Sequence, residues 1–283
     1  MISESTLPVT RACTALDVSS QTFYSWNKGG CSSDSDKDIL SAIQRIAVEF
    51  TKYGYRRITK QLHRDKLIVN HKRVHRIMKA NGLLVRRRKY KPVTTYSGHG
   101  LKVYPNHAKE IVITKPNRLW VADITYIYLP TGFAYLAAIL DIFSRKCVGW
   151  SLSMNIDTTL ALDALNMAIE TRKQLGFTGL IHHSDRGVQY ASRAYVERLK
   201  EEDIIISMSA QGNCYDNAFA ESFNKTIKVE EVYINEYKTF DEAYTNIKKF
   251  IELVYNQKRL HSSIGYVPPN EFEQKALIEV SLN

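Results

Sequence analysis

The hydrophobic pattern of this 283-residue chain changes period once, near residue 119, and that change governs what the chain can fold into. Before it, apolar residues recur at helical spacing. After it, residues 121–129, 133–143 and 146–152 are rich in β-branched and aromatic side chains. A Pro130-Thr131-Gly132 turn and a tight link at Ser144-Arg145 join them. Three strands with such short links imply an antiparallel meander. Leu160, Ala164, Met167 and Ala168 then predict a helix over 157–175. A fourth strand is expected over 180–184, a helix capped by Ser192 up to 202, and a fifth strand over 204–208. One more helix follows. This order predicts an α/β fold, a mixed five-stranded sheet flanked by helices.

The charge is divided just as unevenly. The chain carries 39 Lys+Arg and 29 Asp+Glu, a net +10; residues 1–95 hold 19 and 7 of these, and the remainder is slightly acidic. A basic arm on a near-neutral body suits a polyanion-binding module joined to something else. Within the arm, Val9, Ala12, Cys13 and Leu16 share one helical face, and Ser19 can cap a second short helix. Phe23 and Trp26 face inward there, and Gln21 and Thr22 face outward. That is either a helix-turn-helix or an ordinary helical hairpin. A Ser/Asp/Gly-rich break over 29–36 precedes an amphipathic helix over 38–52 with Ile39, Ile43, Ile46 and Phe50 on one side.

A second turn-helix unit spans 55–84. Asn70 caps a helix with Val74, Ile77 and Met78 inward and Lys72, Arg73, Arg76 and Lys79 outward, closed by Asn81-Gly82. The basic run Arg86-Arg87-Arg88-Lys89 follows. A basic face opposite an apolar one suits phosphate contact, although a solvated face has the same pattern. His71 and His75 lie at i, i+4, but no cysteine pair stands at zinc-finger spacing. The organisation expected is a helix-turn-helix-like segment over 1–30, a second such unit with its basic run over 37–91, a linker over 92–118 and an α/β domain over 119–283. Four scattered cysteines and no apolar run of membrane-spanning length make the cytoplasm the expected compartment, with no membrane partner.

Three acids occupy informative places. Asp123 lies inside the first strand, Asp185 just past the fourth, and Glu221 on the helix beyond the fifth, with 35 residues between the last two. A carboxylate inside a strand needs a partner, either a metal ion or a basic side chain. Asp185 alone would pass for a turn residue. On its helix Glu221 sits opposite the Phe219, Phe223, Ile227 stripe, beside Lys225 and Lys228.

The words around these acids resemble those of retroviral-integrase-like transposases with an Asp-Asp-Glu catalytic core. They are Trp120-x-x-Asp-Ile-Thr-Tyr126, Asp141-x-x-Ser-Arg-x-x-x-Gly-Trp150, His183-Ser-Asp-Arg-Gly-x-Gln-Tyr190, Asp216-Asn-Ala-x-x-Glu-Ser-Phe223, Lys228-x-Glu230 and Tyr255-Asn-x-x-Arg-x-His261. The resemblance spans essentially the whole chain and is most specific to the insertion-sequence-three family, in its second-reading-frame (OrfB) class. It implies a ribonuclease-H-like core preceded by a helix-turn-helix region.

The resemblance further implies a DNA transposase in which Asp123, Asp185 and Glu221 are catalytic and bind two Mg²⁺, with Mn²⁺ as substitute. DNA would be cleaved at the transposon ends, and a 3′-hydroxyl would be transferred into target DNA. Transposon-end and target DNA are the implied partners, with a homodimer or larger oligomer on DNA. Gln21, Thr22, Lys72, Arg73, Arg76, Arg86, Arg87, Arg88, Arg186, Lys225, Lys228 and Arg259 are the expected DNA contacts. Family members are usually made by frameshifting and carry a leucine zipper. Residues 1–100 show no sustained heptad repeat, so an upstream-frame protein or a frameshift fusion is a further implied partner. The competing reading is a DNA-binding regulator that uses residues 8–90 and an inert core.

Overall fold

The computed structural model describes residues 34–85, 101–109, 111–209 and 218–281. The expected first helix-turn-helix with Gln21 and Thr22 and the run Arg86–Arg88 lie outside these residues. The described residues fall into two compact units: 34–49 with 53–84, and 50–52 with everything from 85 onward.

The first unit is three helices, α1 (Asp34–Glu49), α2 (Tyr55–Arg64) and α3 (His71–Ala80). Ile39, Ile43 and Ile46 of α1, Ile58 and Leu62 of α2, and Val74, Ile77 and Met78 of α3 are buried. The α3 cap is as expected: the Asn70 side chain accepts from Lys72 N at 2.8 Å. Gly82 takes φ +68°, and Leu83 N returns to Met78 O at 2.9 Å, closing the helix. α1 begins four residues before its expected start. Within that first turn the Asp36 carboxylate receives Arg73 and Arg76 of α3 at 2.6 to 2.7 Å. His71 and His75 pack on the Tyr55 ring, with centroids 6.2 and 4.9 Å away.

The second unit holds β1 (Leu119–Leu129), β2 (Gly132–Asp141), β3 (Cys147–Ser153), α4 (Thr158–Arg172), β4 (Ile181–Ser184), α5 (Val188–Ala191), α6 (Arg193–Glu201), β5 (Ile205–Met208), α7 (Ala218–Ile227), α8 (Phe240–Lys249) and α9 (Pro269–Ser281). The five strands lie in the order β3-β2-β1-β4-β5. β1, β2 and β3 form the antiparallel meander, and β4 joins β1, and β5 joins β4, in parallel. The sheet is mixed, as the sequence predicted.

Alternation along β1 sends its residues to two cores. Val121, Ile127 and Leu129 pack with Phe223 and Ile227 of α7 and with Ile247 of α8. Trp120 and Ala122 pack with α4 and α6. α4 is capped by Asp157, which accepts from Leu160 N at 2.9 Å. It lies so close to the sheet that a Cβ on Gly149 would stand 2.1 Å from Ala164 O. Two described pieces ahead of β1 touch this unit. His107 N donates to Ser207 Oγ at 2.8 Å, and Ile111 and Ile113 pack against the first core.

Candidate active site

β4 pairs with β1 only over Leu119–Val121, with His183 opposite Val121. Two residues further along both strands, this parallel register puts Asp185 beside Asp123, where neighbouring strands are about 4.8 Å apart. The carboxylates therefore meet at the point where β4 stops and β1 runs on. α7 crosses here, and its Asn224, one turn after Glu221, donates to Asp123 Oδ2 at 2.8 Å. Ile124 N donates to Asp123 Oδ1 at 3.0 Å, and Gly187 N to Asp185 Oδ1 at 2.8 Å.

The electrostatics report the same meeting. Desolvation and the neighbouring Asp185 push the Asp123 carboxyl up to about 7, with a smaller push from Glu221 and opposition from the Ile124 and Asn224 hydrogen bonds. Two buried polar atoms beside the acids are without a hydrogen-bond partner among the described residues: Asn224 Oδ1 and Tyr190 Oη. Tyr190 is held well above the usual tyrosine range, by burial first, then by Tyr195, Asp123 and Asp185. Among the described residues no three His, Cys, Asp or Glu side chains converge closely enough to grip an ion. Asp123 and Asp185 are side by side, and Glu221 is exposed on α7 within electrostatic reach of Asp123. The donors at hand are all oxygen, the set that suits Mg²⁺ or Mn²⁺.

Lys228 reaches the same place. α7 passes into a π-helical turn, Lys228–Val232, and Lys228 Nζ sits 4.1 Å over the Tyr126 ring. Burial lowers this ammonium from the usual lysine range, and Asp123 pulls it back up. Lys225 is exposed on α7. Arg186 Nε is spent on Ser209 O at 2.8 Å, bracing the Asp185 loop against the end of β5. At the start of α7, Phe219 is exposed rather than part of the buried stripe, and the Arg145 guanidinium lies 3.9 Å over its ring.

One expected DNA contact is corrected. Arg259 is 3% exposed and grips Glu230 through two bonds of 2.7 Å, with His261 at 3.2 Å. Its guanidinium is buried and held inside the protein, not exposed on the surface as the expected contact requires. Asn256 of the same word bonds Cys147 N at 3.0 Å and Cys147 O at 2.9 Å, next to the register shift between β2 and β3. The late Tyr-Asn-x-x-Arg-x-His word thus fastens the C-terminal helices to the sheet and to the turn after α7. His183 is likewise structural, with Nδ1 on Ser207 Oγ at 2.8 Å.

Family models match along the chain: an HTH-like domain over residues 34–91, and two integrase core domain models over 113–214 and 202–269. Fold and site together define an integrase-core, ribonuclease-H-like protein with an HTH-like domain ahead of it. The transposase for insertion sequence element IS904 of Lactococcus lactis subsp. lactis is 41% identical over 84% of this chain and 95% of its own length. That for IS629 of Shigella sonnei is 34% identical over 93% and 90%, and transposase InsF for IS3A of Escherichia coli K12 is 35% identical over 94% and 93%. The chain belongs to the insertion-sequence-three (IS3) family of transposases and is, by class, a polynucleotidyl transferase. Among solved structures, the HTLV-2 integrase catalytic core domain in complex with magnesium is similar at 18% identity and a TM-score of 0.44, covering 56% of this chain and 97% of that one. No helix among the described residues is long and apolar enough to cross a membrane.

Proposed function

We propose that Asp123, Asp185 and Glu221 form the catalytic triad, hold two Mg²⁺ (with Mn²⁺ able to substitute), and carry out cleavage at transposon ends followed by transfer of the freed 3′-hydroxyl into target DNA. One observation carries this reading: the β1–β4 register that sets Asp185 beside Asp123, together with the rise of the Asp123 carboxyl, caused first by burial, then by the charge of Asp185 and least by that of Glu221. An acid held near neutrality by other acids is relieved by a cation. Bound divalent ions would polarise the attacking oxygen and stabilise the leaving one.

The chain's own part is placement. Asn224 and Ile124 N fix both oxygens of Asp123, and Gly187 N fixes Asp185. Glu221 approaches from α7, so its distance to the other two depends on how that helix seats. The attacking oxygen, from water or a DNA 3′-hydroxyl, bonds to phosphorus as the 3′-oxygen departs, and no protein nucleophile takes part. Lys225 and Lys228 lie where the phosphodiester backbone would pass.

Elsewhere, Lys72 and Lys79 are exposed on α3 and are the phosphate contacts nearest to hand. Arg73 and Arg76 serve only by sharing themselves between Asp36 and DNA. Gln21, Thr22 and Arg86–Arg88 are the remaining proposed DNA contacts. Two ends have to be held together, so the working form is a homodimer or larger, with an upstream-frame protein or fusion as a further partner. Incubation with end-sequence DNA and Mg²⁺, then with EDTA, tests the proposal. Metal-dependent nicked and joined products support it; tight binding without products in either condition points to a regulator.

A further inference from the structure

We propose that the outer end of the β1–β2 hairpin is a stacking shelf for unpaired nucleobases of the DNA substrate. It rests on the DNA chemistry proposed for the adjoining acids, and its test can fail independently of theirs.

β1 continues for eight residues beyond its last partner in β4. On that extension Tyr126 and Tyr128 share a face, and Phe133 of β2 is the cross-strand partner of Tyr128. The rings meet edge to face: Tyr126–Phe133 at 5.6 Å and 86°, Tyr128–Phe133 at 5.8 Å and 72°. Such contacts fix the rings against one another and leave ring faces open. Tyr128 is 69% exposed and Phe133 46%, although the adjacent Leu129 and Ala134 are fully buried. The core of this hairpin is therefore complete without the two outer rings.

Charge selects the occupant. Asp123 and the two tyrosines alternate to opposite faces of β1, and Lys228 links them, its ammonium on the inner ring, Tyr126, and within electrostatic reach of Asp123. Ring faces accept bases of any sequence, and a cation beside them accepts the backbone, which is how single strands are bound without sequence preference. A duplex hides its base faces in its own stack, so the shelf would take only bases freed from pairing beside the reacting phosphate. Two phenol hydroxyls and an ammonium within the patch make it poorer as a purely apolar contact between copies.

The test compares anisotropy titrations of a fluorescent oligo-dA strand and of the same strand paired with oligo-dT, all in EDTA so that binding is independent of the ion site. A 2-aminopurine reporter in the single strand reads stacking directly. Replacing both outer rings, Tyr128→Ala with Phe133→Ala, is expected to weaken the single strand about tenfold or more, since each stacked base contributes roughly 1–3 kcal/mol. It should also abolish the 2-aminopurine quench, while the phosphate-driven duplex affinity stays within about twofold. Tyr128→Phe with Phe133→Trp, which keeps the rings, should retain single-strand binding. Equal loss for both probes, or loss for neither, overturns the shelf. So does a fall in oligomer size of the Ala variant by sedimentation, which would make this face a contact between copies. Because no ion is involved, a failure here leaves the carboxylate assignment standing, and the reverse.

Discussion

Asn224 donates its amide to Asp123 Oδ2 at 2.8 Å across 101 residues of sequence, locking the α7 helix to the strand that carries the first acid. Its own Oδ1 is buried without a partner among the described residues. Asn224 thus positions Asp123 and, through the same helix, Glu221. Asn224→Ala frees Asp123 and leaves a gap; strand cleavage is expected to drop by about a hundredfold, the scale of a small displacement at a reacting centre. Asn224→Gln should restore only part of it. Equal loss of thermal stability and activity, with no change in the metal concentration giving half-maximal rate, would reduce Asn224 to a packing residue.

Burial of Asp123, with Asp185 beside it, makes the metal-free protein sensitive to pH. Asp123 has a folded value of about 7 against 3.8 for the free group. Between those values the folded state holds a proton that the unfolded state has released, so stability is full below the lower value and falls as pH rises through the window. In EDTA, Asp123→Asn should therefore melt higher than wild type at pH 8, and the difference should vanish near pH 4. Divalent ions should raise the wild-type melting point at pH 8 and leave the variant unmoved. A wild type that exceeds the variant at pH 8 in EDTA contradicts the charge crowding.

Buried Arg259 and partly buried Glu230 are a doubly bonded pair joining the late motif to the turn after α7. Removing one partner leaves a buried charge, a loss of about 3–5 kcal/mol. Arg259→Ala and Glu230→Ala should each lower the denaturation midpoint sharply, and the double substitution should be less destabilising than their sum. Duplex affinity of the surviving folded protein should match wild type, because the Arg259 guanidinium is buried.

In the helical unit, Asp36 holds Arg73 and Arg76, two of the proposed DNA contacts. The Arg76 hydrogen bond, followed by that of Arg73, outweighs burial and holds this carboxyl below its usual range, so its contribution to stability is present above pH 3.8 and is lost as pH falls through the folded value. Asp36→Asn should release both guanidiniums, lower the melting point at neutral pH and steepen the salt dependence of DNA binding by about one to two units of slope. An unchanged slope would show that α3 keeps its arginines away from phosphate.

The sheet was legible because alternation and turn chemistry are local. Pro130-Thr131-Gly132 gave the β1–β2 turn, and Asp157 and Ser192 marked helix starts that the structure keeps. The three acids were legible as positions on elements. Their surroundings were not. Asn224 on a helix and Tyr190 after a turn look ordinary until the chain folds, since the contacts they make are long-range. α5 has four residues, too few to show a helical period. The π-helical turns Lys228–Val232 and Phe250–Tyr255 shift side-chain phase after α7 and α8, which a uniform 3.6-residue count cannot register. Phe219 matched an apolar stripe by spacing, yet it is the ring under Arg145. Arg259 carried the charge of a DNA contact, and only burial beside Glu230 shows its use.

The most direct measurement is cleavage and joining of end-sequence DNA in Mg²⁺ by Asp185→Asn and Glu221→Gln, each shown to melt and to bind that DNA like a folded protein. Both substitutions preserve shape and remove one charge from the group proposed to hold the ions. Loss of nicked and joined products in both, with DNA binding retained, is the predicted result. Products at the wild-type rate from either variant would contradict the assignment of those acids to the reaction.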